Sequence, residues 1–187
     1  MKTVILAAVS LLFAANLSAQ EHAIETKQST LTIHVGKTGM FSALGHEHEI
    51  RGAINSGSAE TGAHPSVEVH VNARELKVID KDESQKARAE VQNTMLGPEV
   101  LDSERFNDIV FKSTSAESTG DGKWTLHGNL SLRGQARPVA VRVTLKDGRY
   151  AGEAIVKQTD FGIKPPGIAG VRAKDEVRIA FEVQLAP

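Results

Sequence analysis

Apolar and polar residues alternate along most of the chain from about residue 30 onward. The segment LTIHV places Leu31, Ile33 and Val35 on one face, with Thr32 and His34 on the other. The same period of two recurs in VEVHV, WTLHGNLSLRG, VAVRVTL and VRIAFEVQL. Strict alternation of this length is typical of an antiparallel strand with one buried face. The pattern therefore predicts a β-rich domain.

Short glycine-containing polar segments separate these runs and predict tight connections. In KDGR, Asp147 and Gly148 lie between two alternating runs, which is a strong signal for a two-residue hairpin. STGDGK is expected to join a strand around DIVFKS to the strand that starts at Lys123, and NSGSAETGAHP and RGQARP are interpreted as further turns. The spacing favours an all-β fold, an antiparallel up-and-down barrel of about eight strands.

One segment, DESQKARAEVQNTMLGPEVLDSERF, lacks the alternation and is rich in helix formers. Asp82 followed by Gln85 resembles a capping box, and Gly97 before proline is a stop signal. Ala87, Val91 and Met95 form an apolar stripe at helical spacing. The segment predicts one helical insertion of about three turns, alone or followed by a short second helix at 102–106.

The first nineteen residues have the pattern of a secretory signal peptide. Lys2 precedes an apolar run that is too short to span a bilayer, and Ala19 is the expected cleavage site. The mature chain would then hold 187 − 19 = 168 residues. We expect an N-terminal segment at 20–29 and one barrel domain at 30–187. Export favours the periplasm, with an extracellular location as the alternative.

Composition removes several classes of function. The chain has no cysteine, so disulfides, thiol catalysis and cysteine metal ligands are excluded. After removal of Lys2, basic and acidic residues number 21 and 23, a net charge of 21 − 23 = −2. This balance predicts neither nucleic acid nor an anionic membrane as partner. No later apolar run is long enough for membrane insertion. The oligomeric state, monomer or homodimer, is left open.

Four sequence blocks resemble one family of exported proteins. In chain order they read MFSALGHEHEIRG, NTMLGPEVLDSERFNDIVFKST, LHGNLSLRGQARPVAVRV and QTDFGI. Together they resemble the YceI-like family of polyisoprenoid-binding proteins, from about Thr30 to the C-terminus. The resemblance implies a lipocalin-like barrel that holds an isoprenoid, an isoprenoid quinone or a similar long apolar lipid, with no catalysis and no other cofactor. His46 matches the histidine usual in the family, whereas His48 is an addition and Asn107 replaces a usual proline.

The residues expected to face inward are mostly valine, alanine and glycine, with few aromatics. A barrel lined by small side chains keeps interior volume that an apolar ligand can fill. An ordinary valine-rich core is the alternative interpretation. Phe111 and Phe181, in the middle of strands, are expected to be core. The candidate ligand-binding residues are Phe41, Leu44, His46, His48, Met95, Phe106, Trp124 and Phe161.

The polar candidates have competing interpretations. On a strand, His46 and His48 would share a face and could chelate a metal ion with a third ligand from another strand. A periplasmic metal-binding protein is therefore the alternative function, and a structural stress protein with an incidental cavity is a third. Arg133 and Arg137 belong to a turn, with an anionic head group as their alternative role. No nucleophile, base and oxyanion site come together in the sequence, so an enzyme is not expected.

Overall fold

The computed structural model describes residues 20–40, 47–62, 64–168 and 170–187. In these ranges the chain forms one antiparallel sheet and one α-helix, α1 (Gln85–Leu96). The strands are β1 (Gln20–Ala23), β2 (Thr30–Thr38), β3 (His48–Gly52), β4 (Ser56–Thr61), β5 (Ser66–Asn72), β6 (Lys77–Val78), β7 (Asp108–Gly120), β8 (Lys123–Leu132), β9 (Gln135–Lys146), β10 (Arg149–Lys157), β11 (Gly167–Ile168) and β12 (Val171–Val183).

The sheet has the order β1-β4-β5-β7-β8-β9-β10-β12-β2-β3-β6, and β11 pairs with β12. The chain after β1 also contacts the tail that follows β12: Ile24 bridges Leu185, and the Glu25 N–H donates to the Gln184 carbonyl at 2.8 Å. Because β1 also pairs with β4, the sheet curls so that the β4 side approaches the end of β12. The result is a half-barrel wall with the apolar residues inside, which confirms the predicted fold class.

The strand number differs from the prediction of about eight. Eleven strands form the continuous order in the described part of the chain. Two of the additional strands are β1, in the segment expected to precede the barrel, and the two-residue β6. A third is β4, in NSGSAETGAHP, which was interpreted as a turn. Small residues mask its strand pattern, and they allow Ile24 to pack closely, since a Cβ on Gly57 would lie 2.7 Å from its Cδ1 atom.

The predicted hairpins are present. Asp147 and Gly148 both have positive φ, 52° and 76°, as a two-residue turn with the twist of its flanking strands requires. Arg133 and Gly134 connect β8 to β9 in the same way, with φ of 51° and 71°. The β7–β8 connection also falls in STGDGK, as predicted. These turns explain why β7 to β10 form a simple meander.

The helix α1 lies within the predicted segment, but its first cap is different. The Ser84 hydroxyl oxygen accepts the Ala87 N–H at 3.1 Å, so Ser84, not Asp82, is the N-cap. At the other end the Gly97 N–H donates to the Asn93 carbonyl at 3.0 Å. Residues 102–106 form turns and no second helix. The buried face includes Met95, which points into the half-barrel.

The largest apolar cluster lies where α1 and the chain after it close one end of the half-barrel. Its most buried members include Ala73, Phe161 and Ile163, with exposed fractions of 0%, 1% and 3%. We call this end the base. In the described ranges, no helix has the length and hydropathy required to cross a membrane.

The guanidinium group of Arg133 joins three segments at the base. It donates from Nη1 to the Gly162 carbonyl at 2.8 Å and from Nη2 to the Pro98 carbonyl at 2.6 Å. These bonds hold the chain after β10 and the chain after α1 against the β8–β9 turn. Arg137 likewise donates from Nε to the Asp160 carbonyl at 2.7 Å. Both arginines therefore bind backbone oxygens, which favours the turn interpretation over a head-group role.

We predict that Arg133→Ala lowers the free energy of unfolding by about 3 kcal/mol, because two charge-assisted hydrogen bonds are lost together. Urea denaturation measures the change. Arg133→Lys should restore little of the loss, since an ammonium group does not reproduce a planar fork with two diverging donors. Arg142→Ala is the control, because Arg142 pairs with Glu153 on the exposed face. Equal effects of the Arg133 and Arg142 variants would contradict the role of Arg133.

Candidate binding cavity

A cavity of about 380 Å³ lies inside the half-barrel. Its lining includes Tyr150, at the start of β10, and Gln158, just after the end of β10. The two residues are eight steps apart along an extended strand, which corresponds to about 27 Å at 3.4 Å per residue. The cavity is therefore elongated and runs along the strands, with the base at the Gln158 end.

The walls come from the period of two in the strands. The strands that form the wall contribute mainly alternate residues, and most of these are valine, isoleucine or leucine. The apolar face that the alternation predicted for WTLHGNLSLRG lines the cavity as expected. The apolar and aromatic strand residues of the wall are Leu31, Ile33, Val35, Ile50, Ala59, Val67, Val69, Val71, Ile109, Phe111, Trp124, Leu126, Leu130, Leu132, Val139, Val141, Val143, Tyr150, Ala154, Val156, Val177, Ile179, Phe181 and Val183.

Two phenylalanine rings pack closely against glycines of neighbouring strands. A Cβ on Gly152 would lie 2.6 Å from the Phe181 ring, and one on Gly128 would lie 2.7 Å from the Phe111 ring. Any larger residue at these glycines would push the rings toward the cavity. The glycines therefore help to keep the interior open, and the two rings, expected to be core, line it.

The base of the cavity is closed by apolar side chains. Met95 from α1 and Val100 and Leu101 after it meet Phe161 and Ile163 from the chain after β10. All five are buried, Phe161 to an exposed fraction of 1%. Their position depends on the Arg133 hydrogen bonds, because Pro98 and Gly162 are neighbours of these side chains in the chain.

The opposite end of the cavity, which we call the mouth, is polar at its rim. It is formed by Thr61 at the end of β4, by Pro65 in the β4–β5 connection, and by Trp124 and Tyr150. The Trp124 and Tyr150 rings are tilted by 46° with centroids 6.3 Å apart. Aromatic side chains with a polar edge suit a boundary between water and an apolar interior. Trp124 is the only tryptophan of the chain, so its fluorescence reports on the mouth.

The cavity lining carries a single charged residue, Glu60, among the residues that the structure describes. Glu60 alternates with the inward-facing Ala59 and is exposed. Its Oε2 atom accepts a hydrogen bond from the Ser66 hydroxyl at 2.9 Å. The carboxylate thus lies on the outer face of the rim, and the interior is uncharged.

The structure brings some of the candidate ligand-binding residues together. Met95 and Phe161 lie at the base of the cavity and Trp124 at its mouth. Phe106 instead packs near the β8–β9 turn, where a Cβ on Gly134 would lie 2.7 Å from its ring. Phe106 is absent from the described lining. Phe41, Leu44 and His46 lie outside the described residues.

His48 is on the inward side of β3, and its partner is a buried carboxylate. Its Nδ1 atom lies 2.6 Å from Oδ2 of Asp80, whose side chain is 5% exposed. The other oxygen, Oδ1, accepts the Glu49 N–H at 2.7 Å. The Arg88 guanidinium fixes the same loop by donating to the Asp80 carbonyl at 3.1 Å. His48 therefore connects β3 to the loop before α1, and it does not appear in the cavity lining.

Two histidines on other strands, His70 and His127, have different partners. His70 faces outward between Glu68 and Asp108, and its hydrogen bond with Glu68 at 3.1 Å raises the pKa of His70 above its ordinary value. His127 is half exposed and 3.9 Å from Glu117. Across the described ranges, no three histidine, aspartate or glutamate side chains form a group that could hold a metal ion.

Sequence reasoning missed Gln158. It lies in the 3-10 turn Gln158–Phe161, is 9% exposed, and lines the base of the cavity among apolar side chains. The available signal was its place just before the TDFGI part of the fourth block, at the end of an alternating run. Sequence reasoning also missed Asp80, because nothing in the local pattern of VIDKDES distinguishes a buried carboxylate from its exposed neighbours.

Comparisons with known proteins agree on one family. A family model described as a YceI-like domain matches residues 22–185. A UPF0312 protein from Shewanella sp. strain W3-18-1 is 27% identical over 168 residues, covering 83% of this chain and 83% of the relative. A UPF0312 protein from Vibrio cholerae serotype O1 is 26% identical over 173 residues, covering 86% of each chain.

Two solved structures share the fold. BcnA of Burkholderia cenocepacia has a TM-score of 0.64 at 19% identity and covers 88% of this chain and 99% of its own. A polyisoprenoid binding domain from Saccharophagus degradans, implicated in plant cell wall breakdown, has a TM-score of 0.53 at 8% identity. That comparison covers 87% of this chain and 95% of the neighbour.

We predict that His48→Ala lowers the free energy of unfolding by about 2 kcal/mol, because a buried carboxylate loses a hydrogen-bond partner. A double-mutant cycle with Asp80→Asn, followed by urea denaturation, should give a coupling above about 0.5 kcal/mol. His127→Ala is the matched control, since His127 is half exposed with only a distant partner. If the two alanine variants were equally stable, His48 would have no structural role.

Proposed function

The chain belongs to the YceI-like family, which confirms the resemblance seen in its sequence, and we propose that it binds a long isoprenoid lipid in its interior. The ligand would be a polyisoprenoid, an isoprenoid quinone or a lipid of similar shape. The observation that carries the proposal is the elongated, uncharged cavity along β10, closed at the base and bordered by Trp124 and Tyr150 at the mouth. A polyisoprenoid binding domain with the same fold supports the choice of ligand class.

The physical basis is burial of hydrocarbon. Each buried methylene group contributes about 0.8 kcal/mol, so a long chain binds tightly with few polar contacts. The walls of valine, isoleucine and leucine provide such contacts along the whole cavity. Depth of the cavity would then select chain length, and a few polar groups would select the end of the ligand.

The proposal does not include chemistry. The described cavity lining contains no histidine, lysine, arginine or aspartate that could act as a general acid or base on a bound ligand, and Glu60 lies at the rim with its carboxylate bonded to Ser66. The signal-peptide pattern at residues 1–19 supports export to the periplasm, where a carrier would hold an apolar lipid away from water.

We predict that protein purified without a histidine tag carries an apolar adduct of several hundred daltons. Native mass spectrometry should show the adduct, and lipid extraction from the same sample should identify it. Extraction from freshly purified protein limits exchange with detergent. A chain that carries no adduct and takes up no prenyl lipid added in vesicles would contradict the proposal.

We predict that Ala154→Phe removes the adduct, because Ala154 faces the cavity midway along β10 and a phenylalanine ring would fill it. Ile155→Phe is the matched control on the same strand, since Ile155 is 53% exposed and faces outward. Circular dichroism should show both variants folded. Retention of the full amount of lipid by Ala154→Phe would place the ligand elsewhere.

The alternative function, a metal ion on His46 and His48, has one observation in its favour. Asp80 holds Nδ1 of His48, and a carboxylate in this position orients an imidazole so that Nε2 is available as a ligand. The same native spectra distinguish the two functions. Bound zinc that is lost in the double variant His46→Ala, His48→Ala, without a lipid adduct, would favour the metal.

A further inference from the structure

We propose that Gln158 sets the direction of the ligand: a small uncharged head group binds at the closed base, and the isoprenoid tail extends toward the mouth. The inference rests on the proposed function and deepens it, because it names the head-group class and its position. A ligand with a hydroxyl or a quinone carbonyl would be accepted, and a phosphorylated one would be rejected.

The position of Gln158 is unusual for a polar side chain. It follows β10 directly, and its 3-10 turn also contains Phe161, the most deeply buried large side chain of the described residues. The residue is 9% exposed and lines the cavity beside apolar groups. A buried amide without hydrogen bonds is costly, so such a group is expected to have partners for its donors and acceptor.

Only one end of the amide has a protein partner. The Nε2 group donates to the Lys174 carbonyl at 2.7 Å. Because a carbonyl oxygen only accepts, this bond fixes the NH₂ group toward β12 and leaves Oε1 on the other side. Among the described residues no donor to Oε1 is found. Oε1 is also not one of the fully buried polar side-chain atoms without a partner, a group in which the described residues contribute only Arg133 Nε. Oε1 therefore keeps accessible surface, and the cavity is the space that Gln158 lines.

The unpaired oxygen favours a ligand with a hydrogen-bond donor at this end. A prenyl alcohol or a reduced quinone can donate a hydroxyl to Oε1, and the second N–H of the amide can donate to a quinone carbonyl. A hydrocarbon end would leave the amide oxygen without a partner in a dry cavity. The polar group thus distinguishes the two ends of an otherwise apolar molecule.

The charge of the lining determines which head groups fit. No lysine, arginine or histidine is found in the described lining, and the nearby Arg133 donates both Nη groups to backbone carbonyls. A phosphate or pyrophosphate at the base would be desolvated without a cation, which is strongly unfavourable. The base therefore suits an uncharged head.

The mouth discriminates less strongly between head groups. The Thr61 hydroxyl is directed to the Gln20 carbonyl at 3.4 Å, and the Ser66 hydroxyl donates to Glu60. These groups already have partners and lie at a rim that water reaches. A tail end at the mouth would contact Trp124 and Tyr150 instead, which are mostly apolar surfaces.

Orientation is tested on the unmodified protein with two brominated forms of geranylgeraniol, one substituted beside the hydroxyl and one at the far end of the tail. Bromine quenches tryptophan fluorescence at short range, and Trp124 is the only tryptophan. We expect strong quenching by the tail-brominated form and weak quenching by the other. Equal quenching, or stronger quenching by the head-brominated form, would overturn the proposal.

Head-group selection is tested by titrating geranylgeraniol, geranylgeranyl pyrophosphate and a hydrocarbon of the same length. The alcohol should bind at least about tenfold more tightly than the pyrophosphate. Gln158→Leu should weaken binding of the alcohol about tenfold, which corresponds to the loss of one hydrogen bond. It should change the affinity for the hydrocarbon less than about twofold. Gln158→Met serves as a second replacement if the leucine variant does not fold.

Ile155→Gln, on the outer face of β10, is the control and should leave all three affinities unchanged. Thr61→Val tests the mouth as the alternative position of the head group. Loss of alcohol binding in Thr61→Val, with none in the Gln158 variants, would place the head at the mouth and overturn the proposal. If the hydrocarbon and the alcohol both bind but the Gln158 variants bind them as the unmodified protein does, lipid binding is supported and the proposed orientation is wrong. If no probe binds, both the proposed function and the proposed orientation are wrong.

Discussion

One end of the β wall is closed because the guanidinium group of Arg133 holds two chain segments against a hairpin turn. Its partners are backbone carbonyls of Pro98 and Gly162, which belong to segments far apart in sequence. The apolar residues next to them, Leu101 and Phe161, form the floor of the cavity. A wall of antiparallel strands alone would be open at both ends, so the shape of the interior depends on these two hydrogen bonds.

Much of this fold could be predicted from the alternation of residues, because a strand with one face in an apolar interior must repeat every two positions. The strands β2, β5, β8, β9 and β12 were predicted in this way, and Asp147 and Gly148 predicted a hairpin that is present. β4 was missed, because its inward residues are small and its packing on Ile24 is a contact made only in three dimensions. Closure of the sheet was likewise not predictable, since it depends on the distant pair Ile24 and Leu185.

The residues of the candidate site likewise fall into those that local sequence predicts and those that it does not. Apolar wall residues such as Trp124 follow from local periodicity, and Met95 follows from a helical stripe. The polar groups do not, because their roles depend on what lies across the fold. Asp80 matters through its contact with His48, and Gln158 through its place at the end of a cavity. The doubled histidine could be a chelating pair in sequence, and the structure adds a buried carboxylate as the partner of His48.

Ligand binding in the interior would affect the stability of the protein and its resistance to proteolysis. A ligand that binds only the folded chain adds to its stability by mass action, about 2.7 kcal/mol when its free concentration is a hundred times the dissociation constant. The chain has no cysteine, so no disulfide limits unfolding. Proteases act on unfolded molecules, and their rate of attack would fall as the cavity fills. If the proposed function holds, the abundance of this protein would be linked to the supply of its ligand.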